Sequence, residues 1–241
     1  MCIRDRPRIA LVTGASKGLG RGIGFDFVVI DMEHGPVDMA MAEDMIRAAE
    51  LSGTTPLIRV SHNTPHLILR ALDSGAQGLH VPDVNTAEDA TRAVQSSKYG
   101  PAGRRGLGGV RAAEYGLNAP LSEYVRAADE HTMVIAQIES KQSADNLDAL
   151  LAIDGIDVYY LGPEDMSNSM GIPGQSKDPT VVKVVEDSIR KIASHGRVAG
   201  CIAADTAAAR RYVELGARYI ASHAVRFMAN GSRQFLTEVK K

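Results

Sequence analysis

Short runs of apolar, β-favouring residues recur along the chain, separated by longer amphipathic stretches. The runs Ile9–Thr13, Phe27–Asp31, Pro56–Val60, Gly78–Val81, Met133–Ile138, Asp157–Leu161, Val198–Ile202 and Arg218–Ala221 are predicted strands. Most are continuously apolar rather than alternating, the pattern of parallel strands covered on both faces. The intervening segments have helical spacing. Met39–Leu51 places Met41, Met45, Ala48 and Ala49 on one face, Ser143–Ile153 does so with Leu147, Leu150 and Leu151, and Thr180–Ala193 with Val181, Val184, Val185, Ile189 and Ile192. Start signals agree: acids follow Thr86 at one helix start, and Asp178-Pro179 reads as a cap followed by a first-turn proline. The count of β/α units favours a closed α/β barrel of the (β/α)8 TIM type over an open doubly wound sheet.

In such a barrel chemistry collects at the carboxyl ends of the strands. Those ends deliver Asp31, Glu33 and His34, then Arg59, then His80 and Asp83, then Gln137 and Glu139, then Glu164 and Asp165, and finally His223. Acids, a histidine and an arginine thus converge from different strands. Glu139 and Asp165, with no cysteine or paired histidine nearby in sequence, suit a hard, oxygen-preferring cation such as Mg2+ or Mn2+. The plain alternative is that both acids serve helix starts. His34 has the residue type of a general base at neutral pH. Arg59 can hold an oxygen on which negative charge develops, or form a structural ion pair. His80 and His223 have no assignable partner.

Composition narrows the picture. A length of 241 residues suits one barrel, and 44% hydrophobic with 23% charged residues argues against disorder. The formal net charge of −2 gives no electrostatic reason to expect nucleic acid or an anionic membrane as partner. No apolar run approaches the roughly 18 residues of a membrane span. Cys2 and Cys201 offer no disulfide framework, so a cytoplasmic protein is expected, with Cys201 as a core residue.

The segments FDFVVIDMEHGPVD, TPLIRV, ALDSGAQGLHVPDVNTAEDA, KYGPAGRRGLGGVRA, VIAQIES and YYLGPEDMSNSMG, in this order between Phe25 and about Leu215, resemble the HpcH/HpaI family of class II 2-oxo-acid (pyruvate) aldolases. The resemblance implies a barrel of the phosphoenolpyruvate/pyruvate type with a citrate-lyase-like architecture. It implies metal-dependent, reversible cleavage of a 4-hydroxy-2-oxo acid to pyruvate and an aldehyde through a metal-bound enolate. On that basis Glu139 and Asp165 are the metal ligands, and His34, Arg59, Asp31 and Asp73 the catalytic group. Asp73 would raise the basicity of His34, across a subunit boundary if need be. Gln137 would donate to the substrate, and the backbone around Glu164 and Asp165 would receive its carboxylate. A homo-oligomer, often a hexamer, is implied, with the apolar C-terminal stretch Ala224–Val239 packing on a neighbour. The stretch Gly100–Gly116, with Arg104, Arg105 and Arg111, could be a lid over the distal end of the substrate. A Schiff-base mechanism needs a lysine inside a strand, and all eight lysines fall outside the predicted ones.

The N-terminus departs from this family. Ile9–Gly24, IALVTGASKGLGRGIG, resembles the glycine loop that opens a short-chain dehydrogenase. Only Arg21–Asp26 separate that loop from the next strand, where a parallel crossover needs about a dozen residues. None of the seven tyrosines has a lysine four positions on, so the dehydrogenase YxxxK pair is missing. The expected organisation is an atypical segment at 1–24, joined as a chimera to an aldolase barrel at 25–241, with a truncated first β/α unit. A catalytically impaired barrel acting as an oligomer or binding module, and an NAD(P)-binding oxidoreductase, are the competing readings.

Overall fold

A parallel strand covered on both faces has no solvent side, and the apolar runs obey this rule. Every residue of Phe27–Asp31 (β2), Gly78–Val81 (β4), Met133–Ile138 (β5) and Val158–Leu161 (β6) is buried. The computed structural model describes residues 8–13 and 24–240. With Thr55–Arg59 (β3), Ala199–Ile202 (β7) and Tyr219–His223 (β8), these strands pair in sequence order, all parallel, as a curled sheet. The backbone of Arg8–Thr13 (β1) pairs in parallel with both β2 and β8, so the strand order closes on itself. The glycine loop at 14–23 lies outside the described residues.

Two cores result. One fills the inside of the curl with Phe27, Val29, Leu57, Ile135, Val158 and Tyr219. The larger one lies between sheet and helices, where Ile46, Ile68, Leu72, Leu150, Val185 and Ile189 pack. Helix starts are chemically capped as the sequence suggests. Thr86 and Asp89 form a reciprocal capping box before Ala87–Ser97, and Asp178 caps Pro179–Ser194. The segment expected as one helix over Ser143–Ile153 is instead two, Lys141–Asp145 and Leu147–Leu151. Asn146 sits at the break and its amide donates to the Asn85 carbonyl at 2.8 Å.

Each helix runs back against its strand. The loops after the strands therefore gather at one rim, and the carboxyl ends of the helices gather at the opposite rim. Two of the three arginines of Gly100–Gly116, read as a possible lid, lie elsewhere. Arg105 is buried, pairs with Asp73 at 2.8 Å and lies over the Tyr99 ring at 4.7 Å. Arg111 pairs with Glu50 at 2.5 Å and donates to the Ser74 carbonyl at 2.9 Å. These partners sit at helix carboxyl ends, so both arginines fasten the amino rim rather than cover the carboxyl rim. Among the described residues no helix is long and apolar enough to cross a membrane.

Candidate active site

The end of β2 begins the site. Asp31 accepts from Arg59 Nε at 2.9 Å and Nη2 at 2.5 Å, the two-pronged geometry that a guanidinium offers a carboxylate. Register puts the two side by side, since Asp31 and Arg59 are paired positions on β2 and β3. The same carboxylate accepts the N–H groups of Glu33 at 3.0 Å and His34 at 3.2 Å, which shapes the loop carrying the histidine. Burial opposes ionisation of Asp31, but Arg59 and these N–H groups outweigh it and hold the carboxyl below its ordinary range. Asp31, expected in the catalytic group, thus acts here on Arg59 and the loop. Arg59 also meets Glu33 at 3.2 Å. Burial raises the Glu33 pKa, Arg59 and His34 offset part of the rise, and Asp31 and Asp165 add to it. His34 is exposed on this loop, and its ring has no hydrogen-bond partner among the described residues.

Glu139 follows β5 and Asp165 lies in the first turn of Pro163–Ser169, after β6. Both converge on Gly162. A Cβ at that position would lie 3.1 Å from Glu139 Cβ, 3.4 Å from Glu139 Oε2 and 3.7 Å from Asp165 Oδ2. Burial pushes the Glu139 pKa up to about 7, and the charges of Glu33 and Asp165 contribute, against the N–H of Asp83 and the amide of Gln137. That N–H reaches Glu139 Oε1 at 3.1 Å because Asp83 takes a left-handed backbone conformation, φ 55°. Backbone held in this region is a strain that function-bearing loops often store. Asn85 accepts from the Ser140 hydroxyl, tying the loop after β4 to the one after β5.

Gln137 is 1% exposed and its amide donates to Glu139 Oε2 at 2.7 Å. Asp73 ends the Pro65–Asp73 helix at the amino rim, bonded to Arg105, and the chain does not bring it to His34. Glu164 is exposed and accepts from Ser176 at 2.9 Å. The first-turn N–H groups of Glu164 and Asp165 have no i−4 carbonyl within their helix. Sequence reasoning listed Glu33 and Asp83 at strand ends without giving them tasks. Asp83 carried one signal, since aspartate tolerates left-handed backbone better than most residues. His223 occupies the N-cap position of the last helix without a side-chain capping bond, its pKa lowered by burial and then by Arg226 and Arg59.

The donor set fits a hard divalent cation. Oxygens of two carboxylates, Glu139 and Asp165, lie 3.4 Å and 3.7 Å from where a Cβ on Gly162 would sit, and neither carboxylate has an ion-pair partner among the described residues. No group of three or more His, Cys, Asp or Glu side chains could hold a metal among the described residues. The remaining ligands of a cation there would be water and substrate oxygens.

Comparison with known proteins gives a consistent answer. The profile described as HpcH/HpaI aldolase/citrate lyase matches residues 20–233. A 4-hydroxy-2-oxo-heptane-1,7-dioate aldolase of Salmonella typhimurium is 37% identical over 220 residues, 90% of this chain and 83% of that protein. The crystal structure of a HpcH/HpaI aldolase/citrate lyase family protein from Burkholderia cenocepacia superposes with TM-score 0.92 at 33% identity, covering 99% of this chain and 97% of that one. A HpcH/HpaI aldolase from Desulfitobacterium hafniense gives 0.89 at 27% identity, covering 98% and 93%.

Proposed function

The chain belongs to the HpcH/HpaI aldolase/citrate lyase family, and on that premise we propose that it is a divalent-metal-dependent lyase cleaving a 4-hydroxy-2-oxo acid reversibly to pyruvate and an aldehyde. We read the closed sheet as a (β/α)8 barrel of the phosphoenolpyruvate/pyruvate type with an atypical first unit, residues 1–24 being a foreign segment. The observation that carries the reading is the convergence of Glu139 and Asp165, which follow β5 and β6, beside Gly162, with β4 between them and the Asp31–Arg59 pair at the ends of β2 and β3.

Glu139 and Asp165 would hold a Mg2+ or Mn2+ ion, which supplies Lewis acidity at the 2-oxo group when bound. His34, free on its loop, takes the proton from the 4-hydroxyl. The C4–O bond order then rises as the C3–C4 bond breaks, releasing the aldehyde, and its electron pair passes through C3–C2 to the 2-oxo oxygen. Arg59 stabilises the charge gathering on that oxygen. Asp31 and Glu33 orient its guanidinium in advance, so no reorganisation is needed as the charge develops. The proton held by His34 is then returned, by way of solvent, to C3, which completes pyruvate. The first-turn N–H groups of Glu164 and Asp165 receive the substrate carboxylate.

The protein acts as a cytoplasmic homo-oligomer in this account. In Ala224–Val239 no residue is buried, and Val225 (72%), Met228 (70%) and Phe235 (65%) are exposed, so a second copy is the natural cover for this helix. Asp73 reaches a His34 only from such a copy. The test is pyruvate release from a 4-hydroxy-2-oxo acid by the full chain. Release should stop with EDTA and return with Mg2+. Release insensitive to EDTA refutes the metal role, and no release under any condition leaves an impaired barrel.

A further inference from the structure

The loop after β4 turns on one residue. Pro82 has no N–H for the sheet ladder, and the strand ends before it at Val81. Pro82 and Val84 are both buried, while Asp83 between them is exposed. The chain makes this turn through the left-handed backbone of Asp83, φ 55°. The Asp83 carboxylate has no hydrogen bond or ion pair among the described residues, so no contact of the side chain accounts for the turn.

The backbone of Asp83 is engaged on both sides instead. Its N–H donates to Glu139 Oε1 at 3.1 Å, and its carbonyl accepts from the Asn85 amide at 3.4 Å. The amide oxygen of Asn85 accepts from the Ser140 hydroxyl, and the Asn85 carbonyl accepts from Asn146 at 2.8 Å. The Asn85 N–H donates at 3.2 Å to Asp89, the acid of the capping box before Ala87–Ser97. These bonds fasten the loop after β4 to the chain just beyond Glu139, so the Asp83 N–H meets the carboxylate in a fixed place. Glu139 Oε2 takes its bond from Gln137, on its own strand, at 2.7 Å. Oε1 takes its bond from the neighbouring strand's loop. Two donors from different strands stop the carboxylate from turning about its Cγ–Cδ bond. One donor alone does not.

We propose that Asp83 is a positioning residue that acts through its backbone, its left-handed turn aiming the N–H at Glu139 and fixing the face that this carboxylate presents beside Gly162. The consequence for metal binding rests on the reading of Glu139 as a ligand. The turn and its bond do not. The requirement is conformational. Aspartate, asparagine and glycine enter the left-handed region at low cost, and β-branched residues are strongly disfavoured there. Asp83→Val therefore drives the backbone back to negative φ and swings the N–H away from Oε1. Outer partners of ligand carboxylates are worth about 10- to 100-fold in metal affinity.

Two measurements on the full chain test this. Calorimetric titration of EDTA-stripped protein with Mg2+ should show at least about tenfold weaker binding in Asp83→Val. Asp83→Asn and Asp83→Gly, which keep the turn without the charge, should bind as the wild type does. Weakened binding in all three variants would assign the role to the side-chain carboxylate and overturn the proposal. An Asp83→Val protein that melts at a lower temperature yet binds Mg2+ like the wild type would also overturn it, because the turn would then serve folding alone. The second measurement needs neither metal nor a variant at this position. In the metal-free protein the Asp83 amide should exchange its hydrogen slowly, and Glu139→Ala should speed that exchange by about tenfold. Equal exchange in the two proteins overturns the bond to Glu139. A wild type that binds no Mg2+ removes the metal reading, while the exchange rates still decide what the turn holds, as they do if Asp83→Val fails to fold.

Discussion

The two rims of the sheet handle charge in opposite ways. At the amino rim charges are matched: Asp73 with Arg105 at 2.8 Å, Glu50 with Arg111 at 2.5 Å. Arg105 is further covered by Tyr99 and bonded to Tyr124. At the carboxyl rim one arginine, Arg59, serves both Asp31 and Glu33, and Glu139 and Asp165 have no ion-pair partner among the described residues. The imbalance shows in the Glu139 carboxyl, which burial and its acidic neighbours push up to about 7. A matched rim is scaffold. An unmatched rim destabilises the free protein and gains by binding a cation, which is the signature of a site rather than of a surface.

The strongest way to break this contrast is Glu139→Gln. It should cost at least about 10²-fold in kcat, more than the loss of an outer partner. It should leave the melting temperature of the metal-free protein unchanged or higher, because a costly buried charge is gone. A large fall in melting temperature would mean that Glu139 is scaffold after all. Arg59→Lys should come next, with kcat lower by about 10²-fold. A lysine cannot make the two-pronged bond to Asp31 and still face the substrate. Steady-state kinetics with kcat near that of the wild type would show that Arg59 is only a structural partner.

A pH titration sharpens the contrast at a smaller scale. The Glu139 pKa is raised from 4.5 to about 7, so the folded metal-free protein holds a proton there that the unfolded chain has lost. Its contribution to stability is present below about 4.5 and falls as pH rises toward 7. Mg2+ needs the ionised form, so its affinity should drop about tenfold per pH unit below that point. Urea unfolding with and without Mg2+ reads both trends, and a metal-free stability that rises between these pH values would refute the assignment. The smallest effect belongs to the amino rim. Arg111→Met should change unfolding free energy by about 1 kcal/mol or less, since Glu50 is partly exposed, and should leave kcat unaltered.

Much of this was legible in the sequence. The continuous apolar runs marked Phe27–Asp31, Gly78–Val81 and Met133–Ile138 to the residue, because parallel strands buried on both faces leave no other pattern. Strand ends also pointed to Asp31, Arg59, Glu139 and Asp165. Partnership was not legible. Periodicity tells which face of an element is buried but not which rim a long loop packs against, and so Arg105 and Arg111 read as lid residues. Nor does it tell that the Gln137 amide donates to Glu139, since one polar residue in an apolar strand fits a ligand contact equally well. At the break, Asn146 bonds to Asn85, 61 positions away, a contact that local periodicity does not reveal.

The central claim is that the unmatched carboxylates of the carboxyl rim exist to hold a divalent cation. Calorimetric titration of the EDTA-stripped wild type and of Glu139→Gln with Mg2+ tests it most directly. A saturable site is expected in the wild type, lost in the variant while the variant remains folded. Equal binding by the two proteins, or no binding by the wild type, would contradict it.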